Sequence, residues 1–372
     1  MTPHVVIAGG GVGALEGLLA LQSHARERVR ISVITATRYL TYRALSVAEP
    51  FGGGSVPRFD WEQITRERGV RWISGVVAGV RPETRELDTR DGPAVPYDAL
   101  LLSLGCRPQP ALPGAIPFAG PRDVIAIAEA LDALSPGRPR SIAFVASAGT
   151  AWTLPLYELA LMTAEHGRQC GLDLAIEVVT RESAPLGIFG TEASTAVARR
   201  LEAAGVRLRT DTFATEFAER QLWFEPEGTL DADLAIALPP LSGPHLAGLP
   251  AESDGFVPVD GYGRVHGVDS VWAVGDMTSR PLKQGGLAAQ QADVAAADIA
   301  VQVAGADVVV RSYKPKLEGL LLTGADPVYL ERRPHAPPES QASNEFLWWA
   351  PHKVVGRHLG PYLASLAVPE PR

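Results

Sequence analysis

The chain opens on an unbroken apolar run, Val5-Val6-Ile7-Ala8. It gives way to Gly9-Gly10-Gly11-Val12-Gly13-Ala14, and apolar residues then recur at helical spacing from Leu15 to Leu21. A short apolar run stopped by glycine predicts a buried strand, and the change to a 3.6-residue period predicts a helix packed on it. Ile31-Ser32-Val33-Ile34 completes a strand–helix–strand unit over residues 4–35. A helix at Trp61-Glu62-Gln63-Ile64 and a strand at Val70-Arg71-Trp72-Ile73 follow. Residues 85–104 alternate as a hairpin that ends in the apolar strand Ala99–Leu104. The proline-rich stretch from Arg107-Pro108 to Pro113-Gly114 then marks a crossover.

The pattern begins again at Ser141–Val145. It continues through a helix (Leu156 to Ala164), a strand (Ala175–Val179), a helix (about Glu192 to Ala204), Val206-Arg207-Leu208, and a strand at Leu234–Leu238. Ser270–Asp276 and the helix Leu287–Val303 then belong with the first unit. The predicted fold class is therefore α/β. Two three-layer, Rossmann-like dinucleotide-binding domains are expected, the second inserted into the first, with a small C-terminal cap. The boundaries are 1–115 with 252–310, 116–251, and a separate Pro- and Trp-rich cap at 311–372.

Composition narrows the class. The 372 residues are 46% hydrophobic and 20% charged, which suits a packed multidomain enzyme. A net charge of −8 argues against nucleic acid as a partner. Basic residues are nearly all Arg, with Lys only at Lys283, Lys314, Lys316 and Lys353. The two cysteines, Cys106 and Cys170, form neither a CxxC pair nor a disulfide framework, and no metal site is expected. No secretory signal and no membrane-length apolar run is apparent, so a cytoplasmic location is expected.

The glycine turn carries the first chemistry. Gly9-x-Gly11-x-x-Ala14 fits the dinucleotide fingerprint: Gly9 for the tight turn, Gly11 for backbone approach to a pyrophosphate, Ala14 for close helix packing. The phosphates would sit on the free N–H groups at Val12 and Gly13. Thr35 stands where an acid normally holds the adenosine ribose, and with Arg38 nearby a 2′-phosphate is the alternative. Val77 is a candidate for backbone contact to adenine or a plain core residue. Ser103 and Gly105 fill a second turn beside the cofactor.

Further candidates lie beyond it. Arg43 and the Glu49–Gly54 loop would run toward the reactive end of a bound cofactor, with Glu49 and, separately, His352 as candidate proton-transfer groups. Lys283, seven positions after Asp276 and just before Gly285-Gly286, would sit with a helix N-terminus at an anionic edge of that cofactor. Gln284, Gln290 and Gln291 are candidates for added hydrogen bonds or plain helix surface. In the second unit both early glycine positions are alanine, Ala146-Ser147-Ala148-Gly149-Thr150-Ala151-Trp152, and the next strand ends at Thr180-Arg181 without an acid. NAD(P)H binding there is doubtful and scaffold is the alternative. Trp348, Trp349 and Lys353 are the candidates for a pocket against a flat acceptor. A membrane-interface patch and a core or dimer contact are the other readings of that segment.

Gly275-Asp276 at the end of an apolar strand resembles the motif with which two-domain flavoproteins hold the ribityl–pyrophosphate part of FAD. With Val5–Ala14, Ile31–Tyr42, Tyr97–Arg107, Ser141–Glu158, Val179–Gly190 and Gly255–Ala300, it makes residues 4 to about 305 resemble the pyridine nucleotide-disulfide oxidoreductase-like flavoproteins. Within them the chain looks similar to sulfide:quinone oxidoreductases and type II NADH dehydrogenases. The resemblance implies FAD as cofactor and electron transfer to a quinone-like acceptor from an unidentified donor. It also makes contact with the inner face of the cell membrane an expectation. The catalytic cysteines of those relatives are missing: Trp152 stands at one such position, Cys106 is expected at the adenosine end, and Cys170 looks peripheral. An NAD(P)H dehydrogenase and a non-catalytic flavin-binding regulator are the alternatives.

Overall fold

The computed structural model describes residues 2–226, 228–334 and 339–366. The first apolar run is strand β1 (His4–Ala8), buried along its length. Helix α1 (Val12–Ala25) and strands β2 (Arg30–Thr35), β3 (Arg71–Ser74) and β4 (Ala99–Leu102) follow. A second unit comprises β5 (Arg140–Ala146), α2 (Leu154–Cys170), β6 (Leu174–Val179), α3 (Thr191–Ala203), β7 (Val206–Arg209) and β8 (Leu234–Leu238). The chain returns through β9 (Val271–Ala273) and α4 (Gly285–Ala304). It continues into β10 (Leu317–Leu321), β11 (Val328–Arg333), β12 (Glu339–Ser343) and α5 (Leu359–Ser365).

The first sheet runs β9-β4-β1-β2-β3, all parallel. Its strands read as continuous apolar runs because both faces are covered. Val5, Ile7, Val33 and Leu101 face α1 and α4. Val6, Ala8, Ile34 and Leu100 face a small antiparallel sheet built from Val77–Arg81, Glu86–Thr89 and Val95–Pro96. The alanines of α4 let it lie close against α1: a Cβ on Gly17 would fall 2.6 Å from Leu101 Cδ2 and 3.9 Å from Ala292 Cβ. A larger side chain at this crossing would have to displace the Leu101 side chain.

The second sheet runs from the short strand Ile116–Pro117 through β8-β5-β6-β7, again all parallel. Phe144, Ile176 and Ile236 pack under α2 and α3. Ala143, Val145 and Ala237 pack on the antiparallel strands around Leu222 and Phe224. Where the chain crosses between sheets, the outgoing Arg107–Pro108 pairs antiparallel with the returning Leu241–Ser242.

The tail differs from expectation. Its described part has no core of its own. Leu320, Leu321 and Leu330 complete the core beneath α2, where a Cβ on Gly319 would lie 2.6 Å from Phe189 Cζ. Val354, Leu359 and Leu363 complete the core beneath α1. The segment is a strap over both units rather than a separate cap, and each such leucine contributes about 1.5–3 kcal/mol by leaving water. Residues 335–338 and 367–372 of the expected cap lie outside the described residues. Among the described residues no helix is long and apolar enough to cross a membrane.

Candidate functional site

Gly9 has φ +142°, and a Cβ there would sit 2.2 Å from the carbonyl oxygen of Ser103, so the turn admits no side chain. The turn is pinned from three directions. Gly9 N–H donates to Ile34 O (2.9 Å), Ser103 N–H donates to Ala8 O (2.8 Å), and Trp61 Nε1 donates to Gly10 O (3.2 Å). Gly11 begins α1 in extended conformation with no side-chain cap and no acid in the first turn. The leading N–H groups of a helix have no partner within it. A Cβ on Gly11 would meet nothing within 4 Å, so the space in front of these donors is open.

Three other chain segments close on this turn. A Cβ on Gly13 would lie 2.7 Å from Ser103 Oγ, and one on Gly275, at φ +73°, would lie 3.0 Å from Ala288 Cβ. The start of α1, the ends of β4 and β9 and the start of α4 thus meet at one place. Gly275 N–H donates to Gln291 Oε1 (2.9 Å), and Thr278 Oγ1 donates to Gly275 O (2.8 Å). Asp276 Oδ1 is buried without a hydrogen-bond partner. Burial pushes this carboxyl above its ordinary value, opposed by the charges of Lys283 and Arg43. A buried acceptor left unpaired is costly, and here it waits for a donor such as a cofactor hydroxyl. Open helix N–H groups and an unpaired carboxylate, held together by glycines, fit the pyrophosphate and ribityl parts of FAD.

Lys283 is buried, with Nζ donating to Thr278 O and, at 2.7 Å, to Arg280 O; the ammonium lies 3.6 Å from the centre of the Phe256 ring. Burial lowers its pKa, and Asp276 is the largest opposing influence. Its ammonium therefore stabilises the 278–280 loop and sets the field at Asp276. Cys106 also feels Asp276, Arg43 and Lys283. Leu104 N–H donates to Met277 Sδ at 3.4 Å, so Cys106 follows a segment that borders the Gly275-Asp276 turn. Burial, with the Asp276 charge, pushes the thiol up to about 12.

Arg43 Nη2 donates to Ala119 O at 2.8 Å. The following residues form a 3₁₀ stretch, Arg43–Phe51, instead of an open loop. Val47 is buried in the core of the second unit, and Glu49 Oε1 accepts Val56 N–H at 2.9 Å, which ties the glycines 52–54 back. Thr35 is buried; its Oγ1 donates to Thr37 O (2.7 Å) and accepts from Trp72 Nε1 (2.9 Å), so its hydroxyl is already engaged. Arg38 pairs with Asp60. Val77 begins the hairpin after β3 and packs on the small-sheet side. Gly105, at φ +72°, is open-sided.

At the start of α4, Gln284 caps the helix: its Oε1 accepts Leu287 N–H at 2.7 Å, and its Nε2 donates to Glu318 O at 3.0 Å. Gly286 leaves room for that side chain, since a Cβ there would approach Gln284 Oε1 to 3.0 Å. Gln290 bonds both backbone groups of Lys316. Of the two readings the sequence allows for Gln284, Gln290 and Gln291, hydrogen bonding or plain surface, the structure shows hydrogen bonding for all three. A run of glutamines beside a Gly-Asp turn was the available signal.

The three residues expected to wall an acceptor pocket are pulled apart. Trp348 is buried, with its ring centre 4.9 Å from that of Tyr329 and its Nε1 donating to His352 O (3.1 Å). Trp349 is 78% exposed. Lys353 is buried in an ion pair with Glu158 of α2. Neighbouring residues of an irregular strap point in different directions, which sequence adjacency concealed.

In the second unit, the β5–α2 connection is held by its own residues. Thr150 Oγ1 donates to Ser147 O (2.8 Å) and Leu238 O (3.1 Å). Trp152 meets Phe189 edge-on at 5.7 Å. An acid does follow β6, one residue beyond the Thr180-Arg181 pair: Glu182 accepts the Tyr157 hydroxyl at 2.6 Å. Burial raises its pKa, opposed by that hydrogen bond.

Comparison with known proteins agrees with this architecture. The family model described as pyridine nucleotide-disulphide oxidoreductase matches residues 3–297. The mitochondrial sulfide:quinone oxidoreductase of Dictyostelium discoideum is 29% identical over 104 residues, which span 27% of this chain and only 23% of that relative. Among solved structures, the sulfide:quinone oxidoreductase of Aquifex aeolicus superposes with a TM-score of 0.82 at 16% identity, covering 92% of this chain and 87% of the other. The NDH2 of Plasmodium falciparum gives 0.71 at 14% identity, covering 93% and 92%. Both likenesses concern the fold. With a dinucleotide turn, a Gly-Asp turn and a family match over most of its length, the chain belongs to the pyridine nucleotide-disulphide oxidoreductases and is an FAD-dependent oxidoreductase.

Proposed function

We propose that the chain takes an electron pair from a small donor into FAD and passes it to a small, quinone-like acceptor, without a cysteine relay. The observation that carries this reading is the buried, unpaired Asp276 Oδ1 beside the open start of α1. FAD, when bound, supplies a ring that accepts and releases two electrons. The N–H groups of Gly11, Val12 and Gly13 hold the pyrophosphate, with no acid in the first turn to repel it. Asp276 accepts a hydroxyl of the linking chain and so fixes the ring's position. The charges of Lys283 and Arg43 favour the ionised Asp276 and supply positive potential there.

Two features support a donor other than a nicotinamide bound in the usual way. Alanines replace the early glycines of the β5–α2 connection, and Thr150 ties it to the carbonyls of Ser147 and Leu238. The absence of a relay rests on the two thiols: Cys170 is exposed at the end of α2, and burial holds Cys106 protonated. The quinone-like acceptor rests on the named sulfide:quinone oxidoreductases alone, and a peripheral place at the inner membrane face on the family resemblance alone.

The test is anaerobic absorbance of the purified yellow protein, titrated in turn with NADH, NADPH and sulfide, then with dithionite, then with a soluble quinone. The reading expects slow or no bleaching by either nicotinamide, full bleaching by dithionite, and prompt recovery with quinone. Rapid bleaching by NADH would make the protein a nicotinamide dehydrogenase instead. Failure of quinone to restore the colour would exclude this acceptor class.

A further inference from the structure

Far from the cofactor turn, three residues converge that no motif links: His24 in the last turn of α1, Asp293 in the middle of α4 and His358 at the start of α5. Their ligand atoms all lie within 4.8 Å of one another. Both imidazoles present Nε2 to one atom, Asp293 Oδ1, each at 3.3 Å. A charge-assisted N–H···O contact closes to about 2.7–2.9 Å. Buried His358 Nε2 lacks the geometry of a hydrogen bond altogether. The His24 contact is a long hydrogen bond, and 3.3 Å is also the edge of a coordination tetrahedron with bonds of about 2.0–2.1 Å to nitrogen and oxygen.

We infer that His24, Asp293 and His358 bind a zinc-class divalent ion that clips the C-terminal strap to the first domain. Two imidazoles and a carboxylate form a donor set that zinc accepts, with water in the fourth position. The surroundings prepare it. Arg357 approaches the other carboxylate oxygen, Oδ2, at 3.6 Å, leaving Oδ1 to the ion. Glu16 of α1 accepts the N–H groups of His358 (3.0 Å) and Leu359 (2.6 Å), which fixes the backbone that carries one ligand. The ring centres of His24 and His358 stand 5.8 Å apart at 88°, so the rings approach the common point from separate planes. His24 lies twelve residues along α1 from Val12, about 18 Å from the cofactor end at 1.5 Å per residue. The ion therefore has a structural role, apart from electron transfer.

The test uses the full-length yellow protein, stripped with a chelator and dialysed against ZnCl2, with bound zinc measured per chain and thermal unfolding followed with and without the ion. About one zinc per chain is expected, with a higher Tm. His24→Gln with His358→Gln should bind more weakly by well over the roughly 10–100-fold that losing an outer partner costs, and its Tm should not respond to zinc. Retained flavin colour shows that the variant is folded. If it is colourless, the isosteric Asp293→Asn serves in its place. Substoichiometric zinc in the unaltered protein, or equal zinc in a folded ligand variant, would overturn the assignment.

Discussion

Lys353 Nζ and Glu158 Oε1 form a buried ion pair that joins the C-terminal strap to the long helix of the second domain. The same carboxylate oxygen accepts Leu322 N–H at 2.9 Å, so one glutamate holds two parts of the tail. Desolvation works against both charges, and each offsets the cost for the other. Lys353→Met should therefore destabilise the protein by about 3–5 kcal/mol, because it leaves a buried charge alone. Glu158→Gln combined with Lys353→Met should recover most of that loss. Urea unfolding of the two variants decides the matter; equal losses would mean that the pair is not coupled.

Cofactor retention follows from the glycine turn and the unpaired carboxylate. Gly11→Trp would fill the open space before α1, and Asp276→Ala would remove the acceptor. Both variants are expected to purify without flavin colour while keeping far-UV circular dichroism. A fully yellow protein from either would place the cofactor elsewhere.

Asp276 also imposes a pH dependence on the cofactor-free protein. Its folded pKa is raised by burial above the ordinary value of 3.8. Between 3.8 and the raised value the folded state holds a proton that the unfolded state has lost, so stability falls as pH rises through that window. Asp276→Asn should flatten this decline. Urea midpoints of the two apo-proteins at several pH values between 4 and 7 would show it, and parallel curves would remove Asp276 as the source.

The two thiols should separate cleanly. Cys106, pushed up to about 12, holds almost no thiolate at pH 8, while Cys170 is exposed. A disulfide reagent at pH 8 is expected to modify one thiol per chain in the native protein and two in denaturant. Fast modification of both in the native state would mean that Cys106 is more accessible and more acidic than its surroundings imply.

The redox core was legible because its signals are local. Val5–Ala14 spells strand, turn and helix within ten residues, and Gly275-Asp276 ends its strand within three. The second sheet was readable from runs such as Ser141–Val145 for the same reason. What escaped depends on contacts that close very long loops. Glu16 holding Leu359, Tyr42 accepting Val354 N–H at 2.7 Å, and Glu158 pairing with Lys353 have no signature in spacing. The tail therefore read as a separate cap. Trp349 was misplaced because composition does not say which way a side chain turns.

The first sheet is completed by β9, which pairs with β4 although about 170 residues separate them. On a ribosome adding about 5–20 residues per second, that gap lasts roughly 10–35 s. Throughout it β4 has no neighbour on one side, and Leu100-Leu101-Leu102 presents an apolar edge open to any strand that arrives. The inserted sheet, whose strands run from Ile116 to Leu238, is synthesised whole within the same interval. Assembly is thus ordered by translation itself, with the inner domain able to form first and the cofactor domain sealed only when its last strand emerges.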